Sequence, residues 1–191
     1  MTEEMSKRLA STESGGSNKA SRSRFIIQTF TVRFDPVEDR MRLDVEDVNG
    51  NKQSFYLTRR LLDKVIPAIT AKLEQKTPSG VPSELMQAMV QSKARQSRAQ
   101  NTPATAVEAS ADAPLWLCKT VRVTQTEMGM AIAFSNDGGQ EAGIALREEQ
   151  VRATLDILHS NYKAGEWDTS VFPDWLETDD SAAIDEARYK N

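Results

Sequence analysis

Residues 32–69, VRFDPVEDRMRLDVEDVNGNKQSFYLTRRLLDKVIPAI, and residues 121–158, VRVTQTEMGMAIAFSNDGGQEAGIALREEQVRATLDIL, decide the fold. In the first, Val32 and Phe34 continue an alternation that starts at Phe30, with Thr31 and Arg33 between them. A period of two reads as a strand. Asp35-Pro36 ends it. Met41, Leu43 and Val45 alternate with Arg40, Arg42, Asp44 and Glu46 in a second strand. Asn49-Gly50 is a hairpin turn, because both positions favour positive φ, and residues 53–57 return as a third strand. Thr58 caps a helix that carries Leu61, Leu62, Val65, Ile66, Ile69 and Leu73 on one side. Pro67 removes one backbone donor and is expected to kink or divide that helix near Asp63.

The second stretch reads the same way. Strands are predicted over Leu115–Val123, Met130–Phe134 and Ala142–Leu146, with a hairpin at Asn136-Asp137-Gly138-Gly139. A helix follows over Arg147–Tyr162, with Val151, Leu155, Leu158 and Tyr162 at helical spacing and Gly165 as its stop. At an offset of 89 positions the two stretches overlay without a gap. Val32 meets Val121, Arg33 meets Arg122, Met41 meets Met130, Gly50 meets Gly139 and Leu57 meets Leu146. Leu43, Phe55, Leu62 and Ile66 meet Ile132, Ile144, Val151 and Leu155. Agreement in phase matters more than identity, because a one-residue slip turns every strand side chain to the wrong face.

The expected architecture is therefore α+β: two tandem βββα repeats, each an antiparallel three-stranded meander plus a helix. An extra helix lies between the repeats, and the termini are expected to be disordered. The boundaries are 1–23 for the disordered N-terminal segment, 24–75 for the first repeat, 76–113 for a helix and flexible linker, 114–163 for the second repeat and 164–191 for an acidic tail. In 76–113 the helix follows Pro82 and carries Leu85, Met86, Met89 and Val90, whereas 97–113 is small, polar and low in complexity.

A helix covers one face of each meander and leaves the other open. The first open face carries Arg33, Arg40, Arg42, Lys52 and Tyr56, with Asp44 and Glu46 among them, and reads as solvated. The second carries Trp116, Cys118, Thr120, Arg122, Ala131, Ala133, Ser135, Gly143 and Ala145. Such a small, partly apolar surface packs against something: the helix after Pro82, the tail, another subunit or a partner.

Composition narrows the function. The chain has 191 residues, one cysteine and one histidine, which excludes an internal disulfide and a His/Cys metal cage. No apolar run approaches the roughly 20 residues of a membrane span, and residues 1–21 lack the apolar core of a secretory signal. No membrane association is expected, and the compartment expected is the cytoplasm. Nucleotide-loop, zinc-protease and nucleophile-elbow motifs are absent, so no catalytic residue, cofactor or metal is predicted. His159 falls on the side of its helix away from Leu155 and Leu158 and reads as solvated. Cys118 reads as a semi-buried structural thiol. The net charge is −4. Residues 1–24 hold five basic and three acidic residues, and residues 164–191 hold eight acidic and two basic. That pattern does not fit a strong duplex-DNA binder.

Two functional expectations follow. The first is a non-enzymatic adaptor or accessory protein that acts through an open sheet face and the segment Val171-Phe172-Pro173-Asp174-Trp175-Leu176. Trp116, Phe172, Trp175 and Leu176 are the candidate partner-binding residues, for a protein partner or for self-association. Aromatics between acids are common in linear recognition motifs, although the same segment can instead fold back on its own protein. The alternative is single-stranded nucleic-acid binding on the first sheet, with Arg33, Arg40, Arg42 and Lys52 on phosphates and Tyr56 stacking a base. In plan, tandem sheet-plus-helix units resemble the single-strand binders of the Whirly and Pur type. No motif of either family is present, so the resemblance is of plan alone.

Overall fold

A computed structural model describes residues 24–100 and 105–177. The expectations for 1–23 and for 178–191 lie outside these residues. The described protein is α+β, with eight strands in two sheets and four helices. The strands are β1 (Phe25–Ile26), β2 (Thr29–Asp35), β3 (Arg40–Glu46), β4 (Lys52–Leu57), β5 (Leu115–Leu117), β6 (Thr120–Gln125), β7 (Gly129–Ser135) and β8 (Glu141–Arg147). The helices are α1 (Arg59–Glu74), α2 (Ser83–Gln100), α3 (Glu148–Ala164) and α4 (Asp174–Glu177). We call the sheet ordered β1-β8-β7-β6 sheet A, and the sheet ordered β2-β3-β4-β5 sheet B.

Alternation and turn chemistry produce both meanders. In sheet B, Met41, Leu43 and Val45 point inward and are at most 6% exposed. The β3–β4 turn is tied by Asp47, whose Oδ1 accepts from the amides of Asn49 and Asn51, both at 2.8 Å, while Gly50 takes φ 81°. In sheet A, Asn136 does similar work, and its Oδ1 accepts from the Gln140 amide at 3.0 Å. The Thr58 hydroxyl caps α1 by accepting from the Leu61 amide at 3.3 Å. That helix runs on through Pro67. The expected division does not occur, because Leu62, Ile66, Ile69 and Leu73 are buried on both sides of the proline and hold the turns in line.

The halves of the chain are interleaved. The run predicted as one strand over Leu115–Val123 is broken at Cys118-Lys119. Its first part, β5, pairs parallel with β4 in sheet B; its second, β6, pairs antiparallel with β7 in sheet A. A short strand that alternation did not announce, β1, does the converse and pairs parallel with β8. Each sheet thus holds three strands from one half of the chain and one from the other. The helices also cross over, with α1 packed against β6 and α3 against β2. Both sheets and both helices share one core, and its central cavity of about 50 Å³ is lined by Leu43, Leu57, Leu62, Ile132, Leu146 and Leu158 among others.

The offset of 89 holds from β3 onward, where Leu43 pairs with Phe55 as Ile132 pairs with Ile144. It fails in the preceding strand. Val32 pairs with Leu43, but Val121 pairs with Phe134; the residue opposite Ile132 is Val123. The connection is two residues shorter between equivalent pairs: ten residues separate Val32 from Leu43 and eight separate Val123 from Ile132. Two residues is one full period of a strand, so the faces agree even though the register does not.

Candidate partner-binding face

The outer face of sheet B is closed. Asp44, 3% exposed, accepts from Arg42 Nε at 2.9 Å and from the Ser54 hydroxyl at 2.5 Å, with Arg33 at 3.7 Å. That hydrogen bond from Arg42 to Asp44 raises the Arg42 pKa further. Tyr56 donates its hydroxyl to Asp35 at 2.8 Å. The bond holds the Asp35 carboxyl below its usual range, while burial and Asp35 together push the Tyr56 phenol up. Arg40 pairs with Glu38 at 3.1 Å, and Lys52 pairs with Glu46 at 3.7 Å. Arg33, Arg40, Arg42, Lys52 and Tyr56 do share one face, as expected, but each is engaged with an acid of the same protein.

A segment expected to be free linker covers this face. Helix α2 extends to Gln100, and residues 105–113 then lie along sheet B. The Val107 amide donates to the Thr31 hydroxyl at 2.7 Å, and Arg33 donates to the Val107 carbonyl at 3.0 Å. Lys52 donates to the Glu108 carbonyl at 3.4 Å. Val107 is 3% exposed. The only sequence signal for this strap is one β-branched aliphatic residue in a run of Ala, Ser and Thr.

Among the described residues, only Arg24 lies over the outer face of sheet A. Its rows follow from the pairing: Arg122, Ala133, Gly143 and Ile26 lie side by side across four strands, with Thr124, Ala131 and Ala145 in the next row. They floor a shallow trough of about 340 Å³ with Arg24 at its rim. Arg24 lies across Gly143, where a Cβ would meet its Cδ at 3.2 Å, and pairs with Glu141 at 2.5 Å. Ile26 is 62% exposed. Among the described residues, neither the Arg122 nor the Thr124 side chain has a hydrogen-bond or ion-pair partner.

Trp116 and Cys118 do not belong to this face. The chain switches sheets between them and β6, which places Trp116 against Phe55 in sheet B with ring centroids 4.6 Å apart. Cys118 is 2% exposed, with its thiol toward the carbonyls of Thr120 and Ser135, and burial raises its pKa.

The structure places the C-terminal aromatic segment in the protein's own interior. Phe172, Trp175 and Leu176 are at most 5% exposed. Burying each stabilises the fold by about 1.5–3 kcal/mol before ordering costs. Trp175 donates from its indole to Glu74 at 2.9 Å and lies 5.6 Å from the Arg152 guanidinium. Phe172 packs edge-on against Tyr162 and His159. His159 is consequently 8% exposed and meets Glu177 at 3.0 Å; the expectation of a solvated histidine fails because residues 166–177 wrap over α3. Arg152, 1% exposed, joins α3 to α2 through Gln87 at 2.6 Å and bonds Glu148 at 3.0 Å. Burial lowers the Arg152 pKa and also works against the Glu148 charge, but hydrogen bonds from Arg152 and Lys76 outweigh it and hold the Glu148 carboxyl low.

Among the described residues no group of three or more His, Cys, Asp or Glu is placed to hold a metal, and no helix is long and apolar enough to cross a membrane. No protein-family model, curated protein or solved structure matches the chain.

Proposed function

We propose that this protein is a non-enzymatic adaptor that binds an extended protein segment across the outer face of sheet A. In this reading the chain is a tandem duplication of a βββα unit, 24–75 and 114–163, whose copies exchange their leading strands. Equivalent faces then have two fates. One copy uses its outer face to hold residues 105–113 of its own chain, and the other keeps its face for a partner. The observation that carries the reading is the contrast at the edge strands. Thr31 and Arg33 on β2 grip the main chain of Val107, while Arg122 and Thr124 on β6 present a guanidinium and a hydroxyl at the same spacing in the reverse order, with no side-chain partner among the described residues. The basic residues of sheet B are spent on internal pairs, so the geometry favours a protein ligand over single-stranded nucleic acid.

Affinity purification from the native cell, with wild type and Arg122→Glu compared and each split into nuclease-treated and untreated halves, tests this. The expected result is a set of proteins that survives nuclease and is lost from Arg122→Glu at unchanged melting temperature. Recovery that disappears with nuclease, or that is the same from both chains, would overturn the proposal.

A further inference from the structure

The occupied face shows what the vacant one recognises. On sheet B the bound stretch is Ala106-Val107-Glu108. The Val107 main chain is held at 2.7 Å by Thr31 and at 3.0 Å by Arg33, and the Glu108 carboxylate lies 3.6 Å from the same guanidinium. The ligand chemistry is thus an extended backbone with a small residue, a β-branched aliphatic residue and an acid in sequence. The edge strand supplies one hydroxyl and one guanidinium two residues apart, hence on the same side.

The chain contains a second stretch of this chemistry, Ala183-Ile184-Asp185, within residues 178–191. We propose that the outer face of sheet A takes this stretch of its own chain, with Arg122 and Thr124 gripping the Ile184 main chain and Arg122 facing Asp185. The tail then competes with the partner, which must carry the same small–aliphatic–acidic pattern to displace it. This inference rests on the binding face proposed above.

Two observations support it besides the shared pattern. Charge is complementary: residues 178–191 hold four acids and two basic residues, and the trough carries Arg122, with Arg24 at its rim already paired with Glu141. Fourteen residues follow Glu177, enough to span about 45 Å when extended.

The test uses the full ¹⁵N-labelled chain. Ile184→Ser is expected to shift the amides of Arg122, Ala133 and Gly143 at unchanged melting temperature. An unlabelled peptide of residues 178–191, added at about 0.1 mM, is expected to move those amides back. The same peptide should leave the wild type nearly unmoved, since a tethered tail competes at an effective concentration on the order of 1 mM. Unshifted amides in Ile184→Ser would overturn the inference. So would wild-type shifts that grow with protein concentration, which would assign the tail to a second copy. If Ile184→Ser changes nothing but a peptide of residues 104–110 moves the same amides, the tail is excluded and the binding face stands. If neither peptide moves them in either chain, both fall.

Discussion

The two outer faces are built on similar backbones and do opposite things. Sheet B closes its face with a buried carboxylate at the centre: Asp44 collects Arg42, Ser54 and Arg33, and the residues left over hold the 105–113 strap. Sheet A has Ala133 in the row where sheet B has Asp44, and Gly143 where sheet B has Ser54. Without a central charge nothing within the sheet organises the arginine, and the Arg122 side chain has no partner among the described residues. Polar side chains on one sheet satisfy each other and stabilise the fold; small ones on the other leave backbone and rim groups open to a ligand.

The largest break in this contrast comes from the centre of sheet B. Asp44→Ala leaves the half-buried Arg42 without its acceptor and is expected to cost about 2–3 kcal/mol, read from chemical denaturation. A loss below about 0.5 kcal/mol would mean that Asp44 does not organise the face. Next is the strap. Val107→Ser removes a buried aliphatic side chain and is expected to cost about 1–2 kcal/mol, with faster hydrogen exchange at the Val107 amide. Unchanged exchange there would show that the strap is not held through Val107.

A smaller effect is pH-dependent. The Tyr56 hydroxyl holds Asp35 below its usual range, so the unfolded chain takes up this proton first as pH falls. The stabilisation is complete above about pH 4, the ordinary aspartate range, and is lost as pH falls through the lower folded value. Side-chain resonances of sheet B's outer face should respond in that window and those of sheet A's trough should not; Tyr56→Phe should weaken the response. The smallest effect is Arg122→Ala. An exposed arginine that holds nothing but the tail should change stability by no more than about 0.5 kcal/mol, whereas the same change at Arg33 loosens the strap. A large destabilisation by Arg122→Ala would show that the residue is built into the fold and is not reserved for a ligand.

Much of this was legible in the sequence because it is local. Alternation placed β2, β3, β4, β7 and β8, turn chemistry placed Asn49-Gly50, and Thr58 marked the start of α1. The exchange of β1 and β5 was not legible. Nothing in Leu115–Val123 marks a break, because both parts keep the alternation while they join different sheets, and Trp116 moves from a face to the interior as a result. The strap and the wrapped C-terminal segment were hidden for a related reason. Some of their partners lie more than 70 residues away, as in Thr31 with Val107 and Glu74 with Trp175, and periodicity reports only a residue's near neighbours.

The central claim is that the outer face of sheet A takes an extended segment, whereas that of sheet B is already closed by residues 105–113. A photoreactive benzophenone side chain at position 145, in the trough, compared with one at position 40 on sheet B, tests it most directly in the native cell. The account predicts adducts from position 145 that contain a small–aliphatic–acidic peptide, from the chain's own tail or from a partner, and from position 40 no such peptide other than the chain's own residues 105–113. Tail or partner adducts from position 40 and none from position 145 would contradict it.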